Sequence, residues 1–273
     1  MTSVRLPHCR LAELWPTELN GARVGAVVHP ASVLPDFTHL ADLLQRTGSP
    51  WILAALFGPQ HGILGHTQDN MIEWEGDPDP RWKVPVHSLY GQVRKPTPQM
   101  LEGLDALVID LQDVGARYYT FIWTMLLCLE AAWEKGLAVV VLDRPNPLGG
   151  VKVEGPTLDK DYKSFVGMHT VPVRHGLTMG EMALLLAAEK FPGLSLSCCP
   201  WRDGREACFG KRPVFRGCCP ALTCRPPTRQ ASILACAYWR LARPAKVAAR
   251  HAPSKSLEDL GSMRQNSKPT SIR

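Results

Sequence analysis

The sequence predicts an α/β domain: a mostly parallel sheet with flanking helices. Two short β-branched runs, Ala106-Leu-Val-Ile109 and Ala138-Val-Val-Val-Leu142, each break off into a polar cluster. The first gives Asp110-Leu-Gln112-Asp113, the second Asp143-Arg144-Pro-Asn146. Uninterrupted apolar runs of this length, bounded by polar, Gly or Pro residues, are the pattern of strands buried on both faces of a parallel sheet. Strand patterns also alternate with helical ones along residues 1–196, as βαβ units require. Ligands of open α/β sheets bind beyond the carboxyl ends of the strands. Two strands that deliver carboxylates, amides and guanidinium groups to one rim therefore outline a site before any substrate is considered.

In chain order, Arg23-Val-Gly-Ala-Val-Val-His29 reads as a strand and Thr38 to Gln45 as a helix. Trp51 to Phe57 is the next strand, ending at Gly58-Pro59-Gln60-His61-Gly62. A polar loop with two Asp-Pro turns fills roughly residues 64–83. Val84 to Leu89 is a short edge strand, because Pro85 cannot donate to a central ladder. Pro98 to Leu104 reads as a short helix before the Asp110 strand. Tyr118 to Lys135 has helical spacing of Ile122, Met125, Leu126, Leu129 and Ala132, closed by Gly136 as C-cap. After the Asp143 strand, Thr178-Met-Gly-Glu181 forms a capping box for a last helix. No internal repeat is present.

The chain of 273 residues is 45% apolar and carries a net charge of +6. That charge is unevenly spread. Residues 197–273 hold 15 of the 31 Lys and Arg, 4 of the 25 Asp and Glu, and seven of the nine Cys. The body is therefore acidic and the tail strongly basic, which divides the chain into 1–196 and 197–273. No apolar run reaches the roughly 18 residues of a membrane span. The N-terminus lacks the apolar core of a signal peptide. A cytoplasmic protein without a membrane partner is the expectation.

Five polar clusters sit at strand or loop ends: Gln60-His61 with Gln68-Asp69-Asn70; Asp110, Gln112, Asp113, Arg117 and Tyr119; Asp143, Arg144 and Asn146; Glu154; and Arg174-His175. His61 either closes its own loop or faces a cleft. Arg117 is expected to pair with Asp113, and Pro145 and Pro147 stiffen the loop that aims Asn146. No Gly-rich phosphate fingerprint occurs, which disfavours a nucleotide enzyme, and no metal site or cofactor is expected.

Most of the clustered residues lie in the stretches Phe57-Gly-Pro-Gln-His-Gly62, Ser88-Leu-Tyr-Gly91, Asp110-Leu-Gln-Asp-Val-Gly-Ala-Arg117, Tyr119-Thr120, Leu142-Asp-Arg-Pro-Asn-Pro147, Glu154-Gly-Pro156, Ser164-Phe-Val-Gly167 and Arg174-His-Gly-Leu-Thr178. Through these stretches residues 20–196 resemble the exo-β-N-acetylmuramidase family, formerly a bacterial domain of unknown function. The resemblance implies a Rossmann-like domain, a second strand-rich domain, and a sugar bound between them. The implied activity is removal of terminal N-acetylmuramic acid from peptidoglycan fragments during recycling, on a muropeptide or amino-sugar substrate. Asp110, Asp113 and His61 are then the catalytic candidates. Gln60, Asp69, Gln112, Arg117, Tyr119, Asp143, Arg144, Asn146, Glu154, Arg174 and His175 are the substrate-binding candidates. An arginine fork from Arg117, Arg144 or Arg174 suits the lactyl carboxylate. Tyr118, Tyr119 or Trp123 would stack on the ring, with Trp123 fitting the helix core better. Many relatives carry Glu where this chain has Gln60. Glycosidases usually need two carboxylates, and an amide cannot transfer a proton.

The tail, rich in Cys, Arg and Pro, shows neither helical nor strand periodicity. Cys199-Pro-Trp-Arg-Asp-Gly204, written as TGC CCA TGG AGG GAT GGC, reads P-M-E-G-W in a shifted frame. Later stretches of the same frame give P-S-P-N-M-P-T, Y-P-G and R-P-F-E, and the family continues with these four motifs in that order. The tail is thus expected to be an out-of-frame, irregular or disordered end of a truncated copy. A zinc site lacks C-x₂-C pairs. The scattered basic charge does not form a nucleic-acid patch. The rival reading of the whole chain is a non-catalytic sugar-binding or inactive fragment.

Overall fold

A computed structural model of the chain describes residues 5–65 and 80–202. All of these fall within the first of the two units into which the chain divides, residues 1–234. The N-terminal stretch holds a short helix, α1 (Leu11–Leu14). Then come β1 (Ala22–Val27), α2 (Leu40–Leu44), β2 (Trp51–Gly58), β3 (Val86–Ser88) and β4 (Ala106–Ile109). The long helix α3 (Phe121–Lys135) leads to β5 (Ala138–Leu142). A two-stranded ladder, β6 (Glu154–Thr157) with β7 (Pro172–Arg174), precedes α4 (Met179–Lys190) and β8 (Leu196–Cys199).

Six strands form one parallel sheet in the order β3-β2-β1-β4-β5-β8. The chain winds outward one way from β1 to β3 and the other way from β4 to β8. The order therefore reverses between β1 and β4, the place where such sheets form a ligand crevice. Val27 is level with Phe57 on one side and Ile109 on the other, and Ile109 is level with Val141. All four of these strands thus end at one rim.

Side-chain alternation splits the core into two layers. Leu107, Ile109, Val139 and Val141 point toward α3 and α4. Ala106, Val108, Val140 and Leu142 point toward α2 and the N-terminal segment. The five spaced positions expected in α3 are all buried, and so are Phe121, Trp123, Thr124, Leu127, Cys128 and Ala131. This near-complete burial marks a helix covered on almost every side. Gly136 closes α3 in the left-handed conformation, with its N–H bonded to the carbonyls of Ala132 and Trp133. β3 is the edge strand expected at residues 84–89, next to β2.

Three expectations differ from the structure. Residues 98–104 form turns rather than a helix, since one turn fixes too many dihedrals for too few bonds. The sheet also runs past residue 196: β8 pairs with β5, and Arg5 and Arg202 exchange backbone hydrogen bonds of 2.9 Å. The compositional break and the end of the sheet therefore do not coincide. β6 and β7 have no expected counterpart, because Gly155, Pro156 and Pro172 give them no strand signature. Most of the 64–83 loop, with Asp69, and nearly all of the basic tail lie outside the described residues.

Candidate functional site

Asp110 follows β4 with the parity of Ala106 and Val108, so it faces the N-terminal layer and is fully buried. Arg144 follows β5 with the parity of Leu142 and meets it there. Its Nε lies 2.6 Å from Asp110 Oδ1 and its Nη2 3.0 Å from Oδ2, a two-pronged pair. His8, from the N-terminal segment, lies 2.6 Å from Oδ2. Burial works against ionisation of Asp110, but Arg144 and His8 outweigh it and hold the carboxyl far below the usual carboxylate range. The fork expected to take a ligand carboxylate at Arg144 is closed on Asp110.

One residue beyond the Val28 parity, His29 points to the other layer, 4.8 Å ring to ring from Phe121 at the start of α3. Its Nε2 lies 3.2 Å from the Gln112 N–H and its Nδ1 3.1 Å from Ser32 Oγ. The Ser32 hydroxyl donates to the Asp110 carbonyl at 2.6 Å. Burial pushes the His29 imidazole down to about 3, so it stays neutral at ordinary pH.

Beyond β2, Gln60 Oε1 accepts the Thr120 hydroxyl at 2.9 Å. This joins the β2 loop to the start of α3. The neighbouring His61 is half-buried with φ 74°, a left-handed conformation unusual for a non-glycine and characteristic of functional loops. Tyr119 packs on Phe121 at 4.7 Å. Trp123 is fully buried and donates to the Arg117 carbonyl, which makes it a core residue.

Asp113 pairs with His175 at 3.1 Å, not with Arg117 as the sequence suggested. Arg117 Nη1 donates instead to the carbonyls of Pro156 and Val171, because the bridge from Ala116 to Arg174 draws the β7 ladder against it. Arg174 is bonded to Glu154 across the β6–β7 ladder. Gln112 Nε2 donates to the carbonyls of Asp113 and Pro145.

The β5 loop is built for support. Asn146 Nδ2 donates to the Leu177 carbonyl at 2.9 Å and its Oδ1 accepts the Leu148 N–H. Gly115 (φ 83°) lies so close that a Cβ there would sit 2.4 Å from Asn146 Oδ1. Asp143 Oδ1 accepts the N–H of Gly180 at 2.7 Å, and Oδ2 accepts the Thr178 hydroxyl. Burial raises its carboxyl above the usual range, although these donors pull the other way. Asp143 thus caps α4 alongside the Thr178–Glu181 capping box.

The structure therefore sorts the candidates. Gln112 and Asp113 follow β4 at the β1–β4 reversal, with His175 bonded to Asp113, while Gln60 beyond β2 is tied to Thr120 beside Tyr119. Asp110 and Arg144 form a buried brace, and Asp143 and Asn146 secure loops. The sequence reading missed His8 and His29. His29 had a signal, a polar residue ending an apolar strand beside the Asp110 strand. His8 had none, because only tertiary packing carries it there. Among the described residues no group of three or more His, Cys, Asp or Glu is placed to hold a metal ion, and no helix is long and apolar enough to cross a membrane.

Residues 24–210 match the family model described as exo-beta-N-acetylmuramidase NamZ, N-terminal. The chain is 47% identical over 173 residues to the peptidoglycan beta-N-acetylmuramidase NamZ of Bacillus subtilis (strain 168), across 63% of this chain and 41% of that relative. A crystal structure of a DUF1343 family protein from Bacteroides fragilis superposes with a TM-score of 0.68 at 36% identity, covering 77% of this chain and 53% of that one. A second protein of that family from the same organism gives 0.64 at 30% identity, covering 76% and 54%. The chain spans about half the length of these relatives, or less.

Proposed function

Because the chain belongs to the exo-β-N-acetylmuramidase NamZ family, whose N-terminal domain it matches over residues 24–210, we propose that it forms the Rossmann-like wall of a glycosidase cleft. That cleft takes a terminal N-acetylmuramic acid residue of a peptidoglycan fragment. The observation that carries this reading is that Gln112 and Asp113 follow β4 where the sheet order reverses, each with a buried side-chain oxygen that has no donor among the described residues. The printed activity of the Bacillus subtilis relative supports it.

The roles follow from the surroundings of each group. Asp110 is enclosed by Arg144 and His8 and has no proton to give in the working pH range, so it braces the rim. Asp113 is the carboxylate left for chemistry beside it. Gln60, His61 and Tyr119 face the sugar, and Gln60 orients without transferring a proton. Arg144 is closed on Asp110 and Arg174 on Glu154, so neither presents an open fork to the lactyl carboxylate. A second carboxylate, which two-carboxylate hydrolysis needs, comes from Asp69 or from the half of the relatives that this chain does not span.

We also propose that a single-base insertion or deletion near codon 193–198 shifts the reading frame of the basic tail. Independent sequencing of the source DNA tests this: an intact frame that encodes residues 197–273 in every read overturns it. The activity test is release of N-acetylmuramic acid from a muramic-acid-terminated disaccharide, run on this chain and on a frame-repaired one. Release by the repaired chain is expected, with little or none from this one. Sugar binding without release in both favours the non-catalytic reading, which the withdrawal of Asp110 and Gln60 from proton transfer supports.

A further inference from the structure

We infer that Asp113 Oδ1 is a ligand-facing acceptor for an N–H or O–H donor of an amino sugar, with His175 as the positioning residue that aims it. This rests on the reading of the rim as a sugar site. It adds which atom receives the sugar and what holds that atom.

The two oxygens of Asp113 are treated differently, although the residue is only 3% exposed. Oδ2 accepts the Gly115 N–H at 2.7 Å and lies 3.1 Å from His175 Nε2. Oδ1 is buried and has no donor among the described residues. The role of His175 is settled by its other nitrogen. Nδ1 accepts the Leu177 N–H at 3.1 Å, so the ring proton sits on Nε2 and is donated to Asp113. The Leu177 carbonyl in turn takes the Asn146 amide, and Asn146 Oδ1 lies against Gly115. Asp113, Gly115, Asn146, Leu177 and His175 thus close a ring of contacts that pins Oδ2 and leaves Oδ1 over. The preceding residue repeats the pattern. Gln112 spends its Nε2 on two carbonyls, and its Oε1 is likewise buried without a donor.

A buried acceptor with no donor is costly and rare in native proteins. Two on consecutive residues, at the end of β4 where the sheet order reverses, are matched by a ligand that brings donors. An amino sugar offers ring hydroxyls and an acetamide N–H. A carboxylate serving only the fold would lose nothing on conversion to an amide, because the amide keeps one oxygen for Gly115 and His175.

The test uses the 273-residue chain, thermal unfolding, and calorimetric titration with N-acetylmuramic acid and N-acetylglucosamine. The second sugar keeps the ring and acetamide donors but lacks the lactyl carboxylate. Asp113→Asn is expected to melt at or above the parent temperature and to bind both sugars roughly 10- to 100-fold more weakly, the range of one charge-assisted bond. His175→Gln, whose amide N–H still reaches Asp113, retains binding within about threefold, whereas His175→Ala loses it. Parent-like binding by Asp113→Asn or His175→Ala overturns the inference. So does absence of sugar binding by the parent chain. If Asp113→Asn does not fold, the two His175 variants decide. Hydrolysis is not the readout, so failure of the glycosidase reading leaves a positive binding result standing.

Discussion

Asp110, Arg144 and His8 are a buried charged cluster, and such clusters are expensive to break on one side only. Replacing Arg144 with Met leaves the Asp110 carboxylate facing a low-dielectric interior with His8 alone. A loss of roughly 3–5 kcal/mol is expected from urea denaturation. The double variant Asp110→Leu with Arg144→Met should recover much of it, because both charges then leave together. The pH dependence has a second source. The His29 imidazole is held down to about 3 in the folded chain, against an ordinary value of about 6.5 once unfolded. Between those values the unfolded chain binds the extra proton. The contribution of His29 is therefore fully present above about pH 6.5, declines as pH falls, and levels off near pH 3. His29→Gln should flatten that slope, which is at most about 1.4 kcal/mol per pH unit, in unfolding curves taken at several pH values.

At the scale of elements, α4 is tied to the sheet through its first turn. A Cβ on Gly180 would lie 2.8 Å from Asp143 Cγ, so Gly180→Ala must push the carboxylate from the helix N-terminus. A loss of about 1–2 kcal/mol is expected from chemical denaturation, comparable with removal of an N-cap. Strands β1 to β5 and helix α3 were legible in the sequence because apolar runs, helical spacing and Gly or Pro punctuation are local signals. The capping box at Thr178 was legible for the same reason, since both partners lie within four residues. The sorting of the polar residues was not. Whether Asp110 meets Arg144 or a ligand depends on parity across two strands and on a histidine 102 residues away. Whether Asp113 meets Arg117 or His175 depends on the β6–β7 ladder, whose Gly and Pro residues hide it.

At the scale of the whole molecule, the β6–β7 region carries apolar side chains in the open: Val151 is 70% exposed, Val153 59% and Tyr162 76%. Clustered exposed apolar groups promote association. Val151→Lys with Val153→Lys is expected to lower the aggregation rate of the purified chain by light scattering, with little change in its melting temperature. The acidic body and basic tail act in the same direction, because opposite charges on one chain favour contact between copies at low salt.

The N-terminal residues close the buried brace from outside the stretch that the family shares. The family match begins at residue 24, yet His8 reaches Asp110, Trp15 packs on Trp51 at 4.8 Å, and Arg5 pairs with Arg202. The limit of recognisable ancestry is therefore not the limit of cooperative folding. Anyone who trims this protein to its matched region removes a hydrogen-bonding partner from the buried carboxylate just beyond β4. A protease that clips the same leader should register as a loss of global stability rather than as local fraying.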